Sequence, residues 1–305
     1  RSALMADLPE GLLPEELYIV NNLLVRCGAS INEINCVRKH LSKVKGGQLA
    51  RIVRPARLVT LIVSDVVGNL PEVIASGPTV PDPSTFREAL DVIMKYNLAG
   101  DITSGLMKYL NDGAAGIHPE TPKPGDPVFD GILNILAGTN QNALRGAKAE
   151  AQKLGYKAFI IDDAVQGNVG SVSEMVVDTA VSFRNNVDIP KPVCLLFGGE
   201  TTVRVAGSGM GGRNQHLALS AAMRLHDLPE ITILAAGTDG NDGNTDAAGA
   251  VVDSKTISEA RNKNMDPAVY ISEFDTYNFF KKAGGLIKTG PTFTNVMDLL
   301  VAVVE

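Results

Sequence analysis

Apolar residues recur at three- and four-residue spacing from Leu17 to Leu24 and again through "SINEINCVRKHLS", Ser30 to Ser42, and both stretches predict amphipathic helices. Ser30 and Glu33 stand in capping-box register at the start of the second. The pattern changes at "ARLVTLIVSDVVGN". Leu58 to Val63 is an apolar run broken only by Thr60, as in a strand buried on both faces of a parallel sheet, and it ends at polar Ser64 and Asp65. "ASGPTVPDPST", Ala75 to Thr85, is too rich in Pro, Gly and Ser for regular structure and hands over to a helix at "FREALDVIMKY". A Gly, Pro and Asp stretch from Asn111 to Phe129 is the linker or boundary candidate. A second series begins there: "ILNILAG", "NALRGAKAEAQKLG", "YKAFIID", "VGSVSEMVVDTAVSFRNN" and "PVCLLFGGET" read as strand, helix, strand, helix, strand. "TTVRV", "ITILAAGTDG", "GAVVD" and "LIKTGP" add further strands, several without an intervening helix, so this sheet is expected to be mixed. The class is α/β, with helices layered on sheets.

Four of the strand ends are polar and glycine-rich: "GGETT" (198–202), "GSGMGGRNQ" (207–215), "GTDGNDGNTDAAG" (237–249) and "TGPTFTN" (289–295). In an α/β sheet such loops converge on a ligand crevice beyond the carboxyl ends of the strands. Gly207, Gly209 and Gly212 spell GxGxxG between strand and helix patterns, a context in which helix amides can hold a phosphate. A plain turn needs glycine equally. For a dinucleotide site an acidic residue is expected about 20 positions further on; Asp227 is too near and Asp239 too far, which disfavours a nicotinamide. Arg213, next to Gly211 and Gly212, is placed to grip a phosphate or carboxylate bidentately, the alternative being a surface salt bridge. Gly209, Gly211, Gly212, Asn214, Glu200, Thr292 and Asn295 complete the candidate phosphate and substrate ligands on these loops.

Asp239, Asp242 and Asp246 fall within eight residues among glycines. The spacing resembles an EF-hand's acidic opening, but Ala250 in place of glutamate at the twelfth position disfavours that reading. Mg²⁺ held by one or two carboxylates together with substrate phosphates suits them better, and turn or helix capping is the other reading. "NCVRKHLSKVKGG" gathers Arg38, Lys39, His40, Lys43 and Lys45 at a helix end; this is either a solvated basic face or a set from which Lys39, His40 or Lys45 reaches an anionic substrate. His118 and His226 read as surface residues.

A chain of 305 residues with 45% hydrophobic and 20% charged positions is long enough for two globular domains. Its net charge of -6 disfavours nucleic acid and anionic membranes as partners. Cys27, Cys36 and Cys194 form no metal spacing and are expected as reduced, cytoplasmic core thiols. No apolar run reaches the roughly 18 residues of a membrane helix, and the absence of an initiator methionine reads as a fragment. No Ser-His-Asp order, HExxH, zinc pattern or internal repeat occurs.

"GASINEINCVRKHLSKVKGGQLA", "SDVVGN", "IASGPTVPDPST", "FGGETTVRVAGSGMGGRNQHLALSAA", "GTDGNDGNTDAAGAVVD" and "TGPTFTNVMDL" together resemble the glycerate 2-kinase family, whose C-terminal region is called the MOFRL domain and whose members have often been named hydroxypyruvate reductase. The resemblance spans nearly the whole chain. It implies phosphorylation of D-glycerate at its 2-hydroxyl with ATP and Mg²⁺, and two α/β domains with the site in their cleft. Residues 1–126 would be the C-terminal part of a Rossmann-like, parallel-sheet domain, and 127–305 a mixed-sheet domain containing the MOFRL region from about 192 onward. By motif, Arg213 matches the family's proposed active-site arginine. The chain departs from the family pattern at Arg1, Asn69, His216 and Phe293, where glycine, aspartate, glutamate and glycine are usual, and it starts after the first-domain stretch holding a lysine proposed to be catalytic. A reductase using NAD(P)H and a ligand-binding remnant without turnover are the competing readings, and homo-oligomerisation is left open.

Overall fold

The structure is a computed structural model that describes residues 7–305; Arg1 lies outside them. Two compact units are present among the described residues, one of residues up to 62 and 69–137 and the other of 63–68 and 138–305.

The first unit holds α1 (Pro14–Arg26), α2 (Ile31–His40), α3 (Gln48–Val53), β1 (Leu58–Val63), α4 (Phe86–Lys95), α5 (Ser104–Ala114) and β2 (Ile132–Gly138). Its helices start where the sequence provides caps. Ser30 accepts from the Glu33 amide and Thr85 from the Glu88 amide, and both glutamates reach back in capping boxes. Apolar stripes of α1, α2, α4 and α5 bury Val20, Leu24, Val37, Ala89, Ile93, Leu106 and Leu110 in one cluster. β1 pairs with β2 in a two-stranded sheet, so "ILNILAG" belongs here and does not open the second series. β1 alternates along its length: Val59, Leu61 and Val63 are exposed, so only one face of the expected doubly buried strand is covered.

The second unit contains α6 (Asn140–Lys153), β3 (Lys157–Asn168), α7 (Val169–Asn185), β4 (Val193–Thr202), α8 (Arg213–Leu225), β5 (Ile231–Gly237), β6 (Gly249–Asp253), α9 (Thr256–Asn262), α10 (Pro267–Ser272), α11 (Thr276–Ala283), β7 (Leu286–Ile287) and β8 (Asp298–Val304). The strands form one sheet in the order β3-β4-β8-β5-β6-β7. β3 and β4 are parallel and every other neighbour pair is antiparallel, the mixed sheet the closely spaced strands implied. Alternation along β4 sends Val193, Leu195 and Phe197 to the face covered by α7 and α8, and Cys194 and Leu196 to the face covered by α6.

Two strand expectations change and one strand is added. "TTVRV" is no separate strand: Thr201 and Thr202 end β4 and Val203 to Ala206 is irregular. "LIKTGP" shrinks to the two residues of β7. "DLLVAVV", for which the sequence reading named no element, is β8 and lies at the centre of the sheet.

Candidate active site

β8 enters the sheet antiparallel to both neighbours, so its first residue sits beside their carboxyl ends. Asp298 is in register with Gly199 of β4 and with Gly237 of β5. Its backbone is anchored from α6, where Asn140 Nδ2 donates to the carbonyls of Val296 at 2.8 Å and Asp298 at 3.0 Å. The Asp298 side chain is buried and faces the first turn of α8. Arg213, the first residue of α8, donates from Nε to Asp298 Oδ2 at 2.7 Å and from NH2 to Asp298 Oδ1 at 3.1 Å. NH1 donates to Glu200 Oε1 at the end of β4. This two-point fork onto a buried carboxylate, with a second carboxylate on the outer nitrogen, fixes the guanidinium plane. Burial works against the arginine's charge, but Asp298 and Glu200 together hold it even more firmly protonated than usual. Burial also lifts the Asp298 carboxyl, an effect Arg213 opposes.

The helix N-terminus already holds an anion of the protein itself. Asp242 accepts from the Asn214 amide at 3.0 Å and the Gln215 amide at 2.8 Å, the place where the glycine motif led us to expect a phosphate. Its burial, reinforced by the nearby Asp298 charge, pushes its carboxyl up to about 6 despite those amides.

The glycines of 207–212 answer to packing. A Cβ would fall 2.2 Å from the Glu273 carbonyl at Gly207, 2.5 Å from Asp275 Cβ at Gly209, 2.3 Å from Thr276 Oγ1 at Gly211 and 2.2 Å from Asp242 Cγ at Gly212. The loop is stitched to the α10–α11 turn, with Gly209 N donating to Glu273 O at 2.9 Å, Met210 N to Asp275 Oδ1 at 3.0 Å, and Tyr277 N to Met210 O at 2.9 Å. Gly211 N donates to Asn244 Oδ1 at 3.3 Å. The amides of Gly209 and Gly211, expected to cradle phosphate, therefore have acceptors within the protein.

These loops surround a cavity of about 520 Å³ whose lining includes Arg213, Asn214, Asp239, Asp242, Asn295 and Asp298, with Val203, Val205 and Phe274 as its apolar wall. Thr292 braces the rim, its hydroxyl donating to the Thr238 carbonyl and its amide to that of Asp239. The three loop aspartates diverge. Asp239 is half-buried and accepts from the Asn241 amide, Asp242 caps α8, and Asp246 turns to Lys288 Nζ at 2.9 Å and the Tyr277 hydroxyl at 2.7 Å. Among the described residues no group of three or more His, Cys, Asp or Glu side chains is arranged to hold a metal ion.

Residues 193–298 match the MOFRL family, and residues 1–111 match a domain of unknown function, DUF4147. The glycerate 2-kinase of Pyrococcus horikoshii is 41% identical over 311 residues, 99% of this chain and 68% of that protein. The D-glycerate 2-kinase of Thermotoga maritima is 42% identical over 301 residues, 98% of this chain and 69% of that protein. The chain belongs to the glycerate kinase family. The crystal structure of glycerate kinase (EC 2.7.1.31) from Thermotoga maritima aligns with a TM-score of 0.90 at 40% identity, covering 100% of this chain and 70% of that one.

In this glycerate kinase family member the basic helix end of the first unit is turned inward. Lys39 is buried and pairs with buried Asp82 at 3.2 Å. Desolvation works against the Asp82 carboxylate, but Ser84 and Lys39 hold it below its usual range. His40 is buried between the Cys36 carbonyl, 2.8 Å from Nδ1, and Glu120, 3.2 Å from Nε2. Lys45 is also buried, and desolvation lowers its ammonium pKa. A solvated basic face is thus ruled out for these three. His40 does reach a cavity of about 460 Å³ with Lys43, Arg51, Tyr109 and His118. His118 is half-buried, lines that cavity and stacks on Tyr109 with centroids 4.4 Å apart. His226 is half-buried as well. Of the three free thiols, Cys36 and Cys194 are buried as expected and Cys27 is exposed.

The departures from the family pattern have distinct settings. His216 stacks on Phe274, centroids 5.3 Å apart, and burial lowers its pKa, so it stands as a neutral ring behind the cavity wall. Phe293 is 98% exposed with φ at 60°, a left-handed conformation that glycine adopts without strain. Asn69 also has positive φ, at 52°, which asparagine tolerates better than most residues.

The residue missed in the sequence is Asp298. Its signal was an acidic residue directly before an uninterrupted run, Leu299 to Val304, of the kind that marks a buried strand.

Proposed function

We propose that this chain transfers the γ-phosphoryl group of ATP to the 2-hydroxyl of D-glycerate, giving 2-phosphoglycerate and ADP, with Arg213 as the residue that compensates charge on the moving group. The observation that carries the reading is the Arg213 guanidinium, fixed at Nε and NH2 by Asp298 in the lining of a cavity, within a chain that is 41% identical to a glycerate 2-kinase over 99% of its length. Phosphoryl transfer asks a protein mainly for positioning and for stabilisation of negative charge spread over the equatorial oxygens. A prepositioned cation supplies the second without reorganising. The guanidinium has five N–H bonds, and the fork to Asp298 with the bond to Glu200 leaves one on NH1 and one on NH2 for an anionic ligand. Val203, Val205 and Phe274 offer an apolar face to the nucleoside, and Asn214 and Asn295 place amide groups in the lining.

Mg²⁺ bound to the nucleotide would neutralise the phosphates further. Asp239 is the aspartate we assign to hold it: Asp242 spends both oxygens on backbone amides, Asp298 spends both on Arg213 and Asn214, and Asp246 is paired with Lys288. One carboxylate with phosphates and water suits Mg²⁺, which rarely occupies an all-protein cage. Three free thiols support a cytoplasmic setting, and among the described residues no helix is long and apolar enough to cross a membrane.

The test is the chain incubated with D-glycerate and Mg-ATP and followed by ³¹P NMR, beside a reaction with NADH and hydroxypyruvate. The account expects the 2-phosphoglycerate resonance and no oxidation of NADH. Oxidation of NADH would establish a reductase, and silence in both reactions would leave a protein that only binds its ligands.

A further inference from the structure

Arg213 is held by two carboxylates of unlike character. Asp298 is 3% exposed, takes Nε and NH2 together, and its Oδ1 also accepts from Asn214 Nδ2 at 3.1 Å. Asn140 fixes its backbone from the far layer of the unit. Glu200 lies on the open side, its side chain 45% exposed, and meets only the outer nitrogen NH1. A buried, doubly anchored carboxylate has one geometry available to it, while an exposed one keeps several.

We propose that Asp298 is the positioning residue of the site, setting the plane and direction of the Arg213 guanidinium, while Glu200 is only an outer counterion on NH1. The assignment rests on the phosphotransferase reading. It follows from the donor count at Asp298: three N–H groups converge on its two oxygens, Arg213 Nε on Oδ2 and both Arg213 NH2 and Asn214 Nδ2 on Oδ1. An asparagine there has one oxygen, and in either orientation its NH2 group faces a donor, so the fork cannot be rebuilt. Glu200→Gln leaves the fork intact.

The experiment reads the hydrogen exchange of the Arg213 Nε–H by ¹⁵N–¹H NMR, the resonance being assigned by its loss in Arg213→Lys, together with kcat and KM. In Asp298→Asn the exchange should accelerate about 10-fold or more, kcat should fall about 10-fold or more and the two KM values should move less than about 3-fold, as expected when a group acting in the transition state loses its orientation. In Glu200→Gln the Nε–H exchange should stay within about 2-fold of the parent, since that bond is made to Asp298. Exchange in Asp298→Asn that matches the parent overturns the proposal, and so does faster exchange with unchanged kcat. If Asp298→Asn does not fold, Arg213→Lys decides: it keeps the charge but cannot form the fork, and a kcat near the parent's overturns the proposal. Should the parent transfer no phosphoryl group, the phosphotransferase reading fails, while the exchange rates still decide whether Asp298 holds Arg213.

Discussion

Asp242 ties a titration to the geometry of one helix end. Its carboxyl is raised from 3.8 to about 6, burial being the main cause. The folded chain therefore keeps a proton that the unfolded chain has already released. The stability this contributes is complete below pH 4 and is lost as pH rises through about 6, amounting to about 3 kcal/mol at most. Urea unfolding of the parent and of Asp242→Asn should show the difference in free energy drifting by up to that amount against the parent between pH 4 and 6.5; a difference that stays flat contradicts the assignment. Phe293 offers a second residue-scale test. It holds φ at 60° with its ring in solvent, so the side chain gains no burial in return for the strain. Phe293→Gly should raise stability by about 1 kcal/mol, read from the denaturant midpoint, and a loss of stability would show that the ring has a partner.

At the scale of elements, what could be read from the sequence depended on whether the signal was local. The capping box expected at Ser30 joined residues three apart and formed, and Thr85 caps the helix expected after "DPST" in the same way. The helices α6 and α7 followed from their period alone. β8 was lost because "TGPTFTN" before it carried a strong loop signal and the apolar run after it, Leu299 to Val304, is as short as many buried helix segments. β1 was expected to be buried on both faces because a continuous apolar run does not show which face is covered. The glycine loop shows the same limit in a different form. Close approach was legible in its spacing, but the approaching group proved to be the α10–α11 turn. Gly207→Ala would drive a Cβ to 2.2 Å from the Glu273 carbonyl. A loss of about 2 kcal/mol or more is expected from that collision, measured as a drop in thermal midpoint. An unchanged midpoint would mean that the turn can yield.

For the molecule as a whole, the class, the mixed sheet and the convergence of strand-end loops were present in the order of apolar and glycine-rich segments. The inner wiring of the site was not. Asp298 meets Arg213 across 85 residues of chain and Asp242 meets Asn214 across 28, pairings that depend on sheet order and register. The aspartates looked like one metal set because they are neighbours in sequence, and the fold sends each to a different partner. What ties the parts together is the claim that a fixed guanidinium serves phosphoryl transfer. Its most direct test is kcat for D-glycerate phosphorylation by Arg213→Ala beside the parent chain. The account predicts a loss of about 10²-fold or more, the usual effect of deleting a preorganised transition-state donor; turnover equal to the parent's would contradict it.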